Sequence, residues 1–167
     1  MLWNLQITGF LANNDYRTAL MWACINGHTE IVNILIDNGA NLARTDRSGT
    51  NCLFCAADSD NPSTVKSVLE QNKIPVNLHN PSGWTVLHKL SAVNDVESSS
   101  EMVKILVEKG ANINLRDNNG NTPVSLMLHP QRPLVAFLYQ FLDSVGDNQW
   151  KYTYGEGTNE RKGRFDN

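Results

Sequence analysis

Two cysteines, Cys52 and Cys55, have the Cys-x-x-Cys spacing found in zinc sites and in thiol–disulfide redox centres. A structural zinc site needs further ligands, and the sequence has neither a second cysteine pair nor a histidine pair at ligand spacing. A third cysteine, Cys24, makes the set odd, which argues against a disulfide framework. We therefore expect reduced thiols, no metal site and no cofactor.

The four histidines are His28, His79, His88 and His129. A catalytic histidine needs a nucleophile or an acid within hydrogen-bond reach, and no such pairing is visible in the sequence. No phosphate-binding glycine motif, nucleophile elbow or kinase signature occurs either. We assign no catalytic residue and expect that the chain is not an enzyme.

The composition is that of one folded domain, with 167 residues of which 41% are hydrophobic. The net charge is -3 and Lys and Arg are scattered, so we expect no nucleic-acid partner. The apolar runs are too short to span a membrane, and the first six residues do not resemble a signal peptide. These features predict a cytoplasmic or nucleocytoplasmic protein in a reducing compartment.

One phrase returns along the chain. Residues 31–42 reappear almost unchanged as residues 102–114. Shorter phrases begin at Thr18, Asn51, Thr85 and Thr122, which are 33, 34 and 37 residues apart. A period near 33 residues indicates a stack of supersecondary units, each of which buries its apolar face against its neighbours.

The first unit, with Thr18-Ala19-Leu20-Met21-Trp22-Ala23 and Gly27-His28, resembles the ankyrin repeat. The resemblance implies an all-α solenoid of stacked helix–turn–helix units with β-hairpin-like loops. It divides the chain into a partial cap at residues 1–12, repeats at about 13–45, 46–79, 80–116 and 117–143, and a polar tail at 144–167 that we expect to be disordered. The third repeat carries about four extra residues around 94–100.

The second helix of each unit should carry an apolar face. In the first repeat we expect Ile31, Ile34 and Leu35 to form that face and the next repeat to cover it. Gly39 and Gly110 are predicted to end such helices as left-handed caps, with Asn72 in the same role. The expected terminal caps contain Leu2, Trp3, Leu5, Ile7, Phe10 and Leu11 at one end and Leu134, Val135, Phe137, Leu138, Phe141 and Leu142 at the other.

The resemblance also implies roles for individual polar residues. Thr85 and His88 should tie neighbouring repeats together, and His28 should bond the backbone in the same way. Cys52 and Cys55 fall at the opening of a first helix, where buried packing is expected. Asn77 and Asn114 each follow a leucine by eight residues, the spacing of asparagines that are hydroxylated in some ankyrin repeats.

Proteins of this family bind other proteins through the hairpin tips and the concave face of the first helices. The residues that depart from the shared framework are therefore the predicted binding residues. On the turns they are Asn14, Asp15, Arg17, Arg47, Ser48, Thr50, Ser82, Trp84, Asn119 and Asn121, and on the concave helices Trp22, Asp58 and Lys89.

Trp84 is the most informative of these residues, because a large aromatic on a solvent-facing turn has few packing reasons to exist. We expect Trp84→Ala and Arg47→Ala to weaken partner binding and to leave thermal stability nearly unchanged. For Trp84 the alternative is an indole folded onto the neighbouring hairpin, and for Trp22 it is packing under the N-terminal segment.

The sequence favours a monomeric, non-catalytic module that binds another protein as an adaptor or as an inhibitor that masks the partner's surface. A second hypothesis is a secreted viral or bacterial effector, delivered into a host cell, that binds a host protein. A third is an enzyme around His129 and the aromatic residues of 150–154. The same aromatic residues could instead form a linear motif or pack on the last repeat.

Overall fold

The computed structural model describes residues 12–71, 73–92 and 97–127. This part contains seven helices: α1 Ala19–Ile25, α2 Thr29–Asp37, α3 Cys52–Ala56, α4 Pro62–Glu70, α5 Val86–Ala92, α6 Glu97–Glu108 and α7 Pro123–Met127. Its extended backbone amounts to two isolated bridges, Ala12 with Thr18 and Thr45 with Asn51. None of its helices is long and apolar enough to cross a membrane.

The helices form two rows. The first helices α1, α3, α5 and α7 pack successively against one another, and the second helices α2, α4 and α6 do the same behind them. Each helix pair closes on a core of small and medium apolar side chains, such as Cys24, Val32, Leu53 and Val68, which are almost fully buried. Short helices cannot cover their own apolar faces, so the core is shared between neighbouring units.

Polar side chains cap the first helices at the positions that the sequence predicts. Thr18 caps α1 and accepts a hydrogen bond from the Met21 nitrogen at 3.2 Å, as expected for the opening threonine. In the second repeat Asn51 replaces threonine and accepts from the nitrogens of Leu53 and Phe54. The repeated phrase therefore sets where each first helix begins.

The apolar face of α2 agrees with the prediction only at Leu35, which is partly buried against the core. Ile31 and Ile34 are 48% and 60% exposed, whereas Val32 and Ile36 are buried. In α4, Thr64 occupies the register of Ile31; it is fully buried, and its hydroxyl lies 2.8 Å from that of Thr29 in α2. This register therefore faces the second helix of the preceding repeat, not that of the following one, and the described residues contain no second helix before α2.

The helix ends agree with the sequence at Gly39 and Gly110, whose φ angles are +84° and +87°. The predicted cap at Asn72 lies outside the described residues, as do the two terminal apolar segments and the polar tail. The insertion of the third repeat lengthens α6 to 12 residues, compared with nine in α2 and α4. Part of the insertion is therefore an extra helical turn.

Candidate functional site

The turn that opens the second repeat is organised by Asp46. Its Oδ1 accepts hydrogen bonds from the nitrogens of Ser48 and Thr50, both at 2.9 Å, and from the Ser48 hydroxyl at 2.6 Å. Its Oδ2 accepts from Arg17 Nε at 3.2 Å. Burial would raise the pKa of Asp46, but these hydrogen bonds outweigh it and hold the pKa below its usual range. The ionised carboxylate ties the second hairpin to the first.

Asp117 has the same role in the fourth repeat. Its Oδ1 accepts from the nitrogens of Asn119 and Asn121 at 2.9 and 2.8 Å, and its Oδ2 from the Trp84 indole at 3.0 Å. Burial again opposes ionisation, and the hydrogen bonds from Asn121, Asn119 and Trp84 lower the pKa of Asp117. The predicted binding residues Asn119 and Asn121 thus also build their own turn.

Trp84 is not the solvent-facing aromatic that the sequence suggested. The side chain is partly buried and packs against the core, and its Nε1–H points into the next repeat. This is the alternative arrangement, an indole folded onto the neighbouring hairpin. Ser82 remains exposed, and its carbonyl accepts a hydrogen bond from the Asn118 nitrogen at 3.1 Å. Partner binding by Trp84 and Ser82 stays a prediction.

Two other aromatic residues are exposed at the N-terminal end of the stack. Tyr16 is 55% and Trp22 45% exposed. The guanidinium of Arg47 lies 5.9 Å from the centre of the Tyr16 ring, and that of Arg17 lies 5.6 Å from the Trp22 ring. Such stacking holds a flexible arginine in place at low entropic cost. These four residues are called the N-terminal cluster below.

Backbone contacts fix the position of Arg47 in this cluster. Its nitrogen donates to the Asp15 carbonyl at 2.9 Å, and its Nη2 donates to the Asn14 carbonyl at 3.2 Å. A cleft of about 360 Å³ opens beside it, lined by Asp15, Arg17, Asp46, Arg47 and Ser48. The structure thus brings together six of the predicted binding residues, namely Asn14, Asp15, Arg17, Trp22, Arg47 and Ser48. Thr50 joins them through Asp46.

Tyr16 has an unusual backbone conformation. Its φ is +61°, in the left-handed region that costs most residues about 1–2 kcal/mol. The same turn position in the later repeats is occupied by Gly49, Gly83 and Gly120, with φ angles of +77°, +78° and +80°. The first repeat therefore places a large, exposed aromatic side chain where the other repeats have none.

The hairpins are joined differently along the row. The Arg47 nitrogen donates to the Asp15 carbonyl in the first hairpin, and the Asn118 nitrogen donates to the Ser82 carbonyl in the third. Pro81 holds the corresponding position in the third repeat and has no N–H to donate. Its ring instead lies against Gly49, so close that a Cβ added there would be 2.5 Å from Pro81 Cδ.

Asp58 and Lys89, both predicted to bind a partner, are paired with each other. Lys89 Nζ lies 2.6 Å from Asp58 Oδ1 and also donates to the Phe54 carbonyl at 3.3 Å. The contact joins the second and third repeats across the row of first helices. The two charges therefore partly neutralise each other.

The cysteines, which carry redox or metal chemistry in other proteins, are part of the core here. All three cysteines are buried, as expected, and burial raises the pKa of Cys52 and Cys55 to about 12. Burial, followed by the charges of the other two cysteines, also raises the pKa of Cys24. The thiols are therefore protonated and poor nucleophiles. Within the described residues no group of His, Cys, Asp or Glu has a metal-binding arrangement.

His88 ties the third repeat to the fourth, as predicted. Its Nδ1 accepts from the Thr85 nitrogen at 3.1 Å, and its Nε2 donates to the Asn121 carbonyl at 3.1 Å, which defines a neutral ring. Burial lowers the pKa of His88. His28 is exposed and its side chain makes no capping hydrogen bond to α2, and the similar role expected for it stays a prediction.

Asn77 is engaged by the following repeat. Its amide donates to the Gly110 carbonyl at 3.1 Å and accepts from the Asn112 nitrogen at 2.8 Å. Hydroxylation of Asn77 and Asn114 stays a prediction. His129 and residues 150–154 lie outside the described part of the chain.

The family model described as "Ankyrin repeats (3 copies)" matches this chain twice, at residues 3–77 and 53–141. This chain belongs to the ankyrin repeat family. The ankyrin fold also explains the two rows of helices and the hairpin row described above. Ankyrin repeats are protein–protein interaction modules.

The chain is similar to several ankyrin repeat proteins. It is 34% identical over 114 residues to alpha-latrocrustotoxin-Lt1a of Latrodectus tredecimguttatus, covering 68% of this chain and 8% of the toxin. It is 32% identical over 122 residues to ankyrin repeat protein OPG189 of Variola virus, covering 67% of this chain and 21% of that protein. The crystal structure of EF0377, an ankyrin repeat protein, matches with a TM-score of 0.71 and 26% identity over 78% of this chain and 67% of that one. The chain thus spans a small part of the two curated relatives.

Sequence reasoning missed Tyr16. It was not among the predicted binding residues, although it forms half of one arginine–aromatic pair in the N-terminal cluster. The signal was present in the register, because Tyr16 aligns with three turn glycines of the ankyrin repeats. A departure from glycine at a position of positive φ is a stronger functional indication than a polar substitution on an open turn.

Proposed function

We propose that this ankyrin repeat chain binds another protein through the N-terminal cluster of Tyr16, Arg17, Trp22 and Arg47. The partner surface would be masked or bridged, which makes the chain an inhibitor or an adaptor. No step of this role requires chemistry on the partner. The observation that carries the proposal is the pairing of two exposed aromatic rings with two arginines in one patch.

Energetic considerations support this surface. Trp, Tyr and Arg are the residue types that contribute most to protein interfaces, since they bury a large area while losing little conformational freedom. The strained backbone of Tyr16 is not required by packing, because the ring is 55% exposed. The C-terminal pair of Trp84 and Asp117 has no comparable exposed ring.

Display of protein fragments, selected on the immobilised full chain and measured by calorimetry, tests the proposal. We expect Tyr16→Ala and Trp22→Ala each to weaken the affinity for the selected fragment by about tenfold or more, a loss typical of central interface residues. The matched control is Lys66→Ala, an exposed residue of α4 on the row of second helices. If the cluster variants bind like the control, the cluster is not the binding surface.

A viral or bacterial effector that binds a host protein is the second candidate. The similarity to an ankyrin repeat protein of Variola virus supports it. The same display experiment, repeated with fragment libraries from host and native proteomes, separates the two roles. An effector should select its tightest binder from the host library, whereas an endogenous adaptor or inhibitor should select it from the native one.

A further inference from the structure

The cleft beside the N-terminal cluster contains two guanidinium groups that are only partly used. Arg17 donates its Nε to Asp46, and Arg47 donates its Nη2 to the Asn14 carbonyl. Each guanidinium carries five N–H donors, so most of these N–H donors have no acceptor within the described residues. Both arginines line the same cleft of about 360 Å³.

The charges of the two arginines are not equivalent. Arg17 is neutralised by Asp46, whose side chain is 3% exposed and already accepts four hydrogen bonds. Arg47 forms no salt bridge within the described part of the chain. The cleft therefore contains one guanidinium, that of Arg47, which is positioned by Tyr16 and by the backbone and forms no ion pair with a described residue.

From this geometry we infer that the cleft binds an acidic side chain of the partner protein. The carboxylate would accept paired hydrogen bonds from Arg47, the bidentate arrangement for which arginine is suited. An apolar residue beside it in the partner segment would pack on the exposed rings of Tyr16 and Trp22. This inference rests on the proposed function and specifies the chemistry of that surface.

Asp15 gives the inference a distinctive consequence. It is exposed and lines the cleft, and its carboxylate forms no ion pair with the described residues. A second carboxylate entering the cleft is repelled by it, because like charges a few ångströms apart interact unfavourably. Removing the Asp15 charge should therefore strengthen the binding of an acidic segment and leave a neutral one unaffected.

The test uses three peptides and the full chain. The probes are acetyl-Ala-Leu-Glu-Leu-Ala-amide, its Gln counterpart and its phosphoserine counterpart, titrated while the Nε–Hε NMR signals of Arg17 and Arg47 are followed. We expect saturable shifts with the Glu peptide and binding about fivefold or more weaker with Gln, given the strength of charge-assisted hydrogen bonds. Arg47→Ala and Arg47→Lys should both weaken Glu binding, and Asp15→Asn should tighten it.

The outcomes are separable. Equal binding of the Glu and Gln peptides, or no effect of Asp15→Asn, would overturn the inference, and stronger binding of the phosphoserine peptide than of Glu would replace carboxylate with phosphate. Lys66→Ala is the charge-matched control and should change nothing. If selected protein fragments still depend on Tyr16 and Trp22 while the Glu peptide does not bind, only the acidic chemistry fails. If the fragments ignore those rings, the proposed function fails.

Discussion

The indole Nε1 of Trp84 donates a 3.0 Å hydrogen bond to Oδ2 of Asp117, the turn aspartate of the following repeat. Arg17 makes the equivalent contact to Asp46 at 3.2 Å. Trp84 and Arg17 hold the same position in their repeats, four residues after the residue that opens the turn. Two chemically different side chains therefore perform the same task, which is to donate to the ionised turn aspartate of the next hairpin.

Trp84 should consequently contribute to stability, contrary to the expectation from the sequence. We expect Trp84→Ala to lower the free energy of unfolding by about 2–3 kcal/mol, because it removes buried aromatic surface and a hydrogen bond. Trp84→Phe keeps most of the packing and should cost less. Urea denaturation measures both, with the more exposed Trp22→Ala as the control. Equal urea midpoints for Trp84→Ala and the wild type would show that Trp84 does not contribute to stability.

Tyr16 should show the opposite balance. Tyr16→Gly relieves a left-handed backbone strain of about 1–2 kcal/mol and loses an exposed cation–π contact worth about 0.5–1 kcal/mol. Glycine also adds about 0.5–1 kcal/mol of chain entropy to the unfolded state, so the net change in unfolding free energy should be within about 1 kcal/mol of zero. Partner binding should fall. A clear loss of stability in thermal denaturation would mean that the ring is needed for folding.

Gly49 and Gly120 allow steric crowding to be separated from backbone strain. Both have φ near +80°, so alanine at either position costs about 1–2 kcal/mol. At Gly49 the new Cβ would also lie 2.5 Å from Pro81 Cδ, whereas at Gly120 it meets nothing within 4 Å. Gly49→Ala should therefore lower the free energy of unfolding by about 1–3 kcal/mol more than Gly120→Ala does. Similar unfolding midpoints would show that the Pro81 turn moves aside.

His88 should make stability depend on pH. Its pKa in the folded chain lies below the ordinary value of 6.5 because of burial, so the unfolded chain binds the proton first. The contribution of His88 is complete above pH 6.5 and is lost as pH falls through 6.5 toward the folded pKa. The urea midpoint should therefore be lower at pH 5.0 than at pH 7.5. The difference between the two pH values should be smaller in His88→Gln than in the wild type.

The acidic turn residues affect a different pH range. The pKa values of Asp46 and Asp117 are lowered from 3.8, so their contributions are lost only as pH falls below about 4. A comparison at pH 5.0 and above isolates His88 from them. NMR titration of the His88 ring supplies the direct check, and a folded-state pKa above 6.5 would contradict the assignment of a buried, neutral imidazole.

Much of the fold was readable from local sequence. Thr18 and Asn51 start helices, and Gly39 ends one, because these residues satisfy or permit particular backbone conformations whatever lies around them. The four registers followed from the spacing of the repeated phrase. The apolar face of α2 was not readable, since Ile31 and Val32 are equally hydrophobic and the choice between them depends on which neighbour is present.

The sequence by itself determined the repeat, its registers and the turns, because these depend on the period of the chain and on the conformational preferences of single residues. Only the tertiary structure decided that Trp84 is held by Asp117, that Lys89 pairs with Asp58, and that Tyr16 lies beneath Arg47. Each of these contacts joins residues about 30 positions apart in neighbouring repeats. Side chains at that separation meet only after stacking, so their exposure and charge are properties of the assembled solenoid.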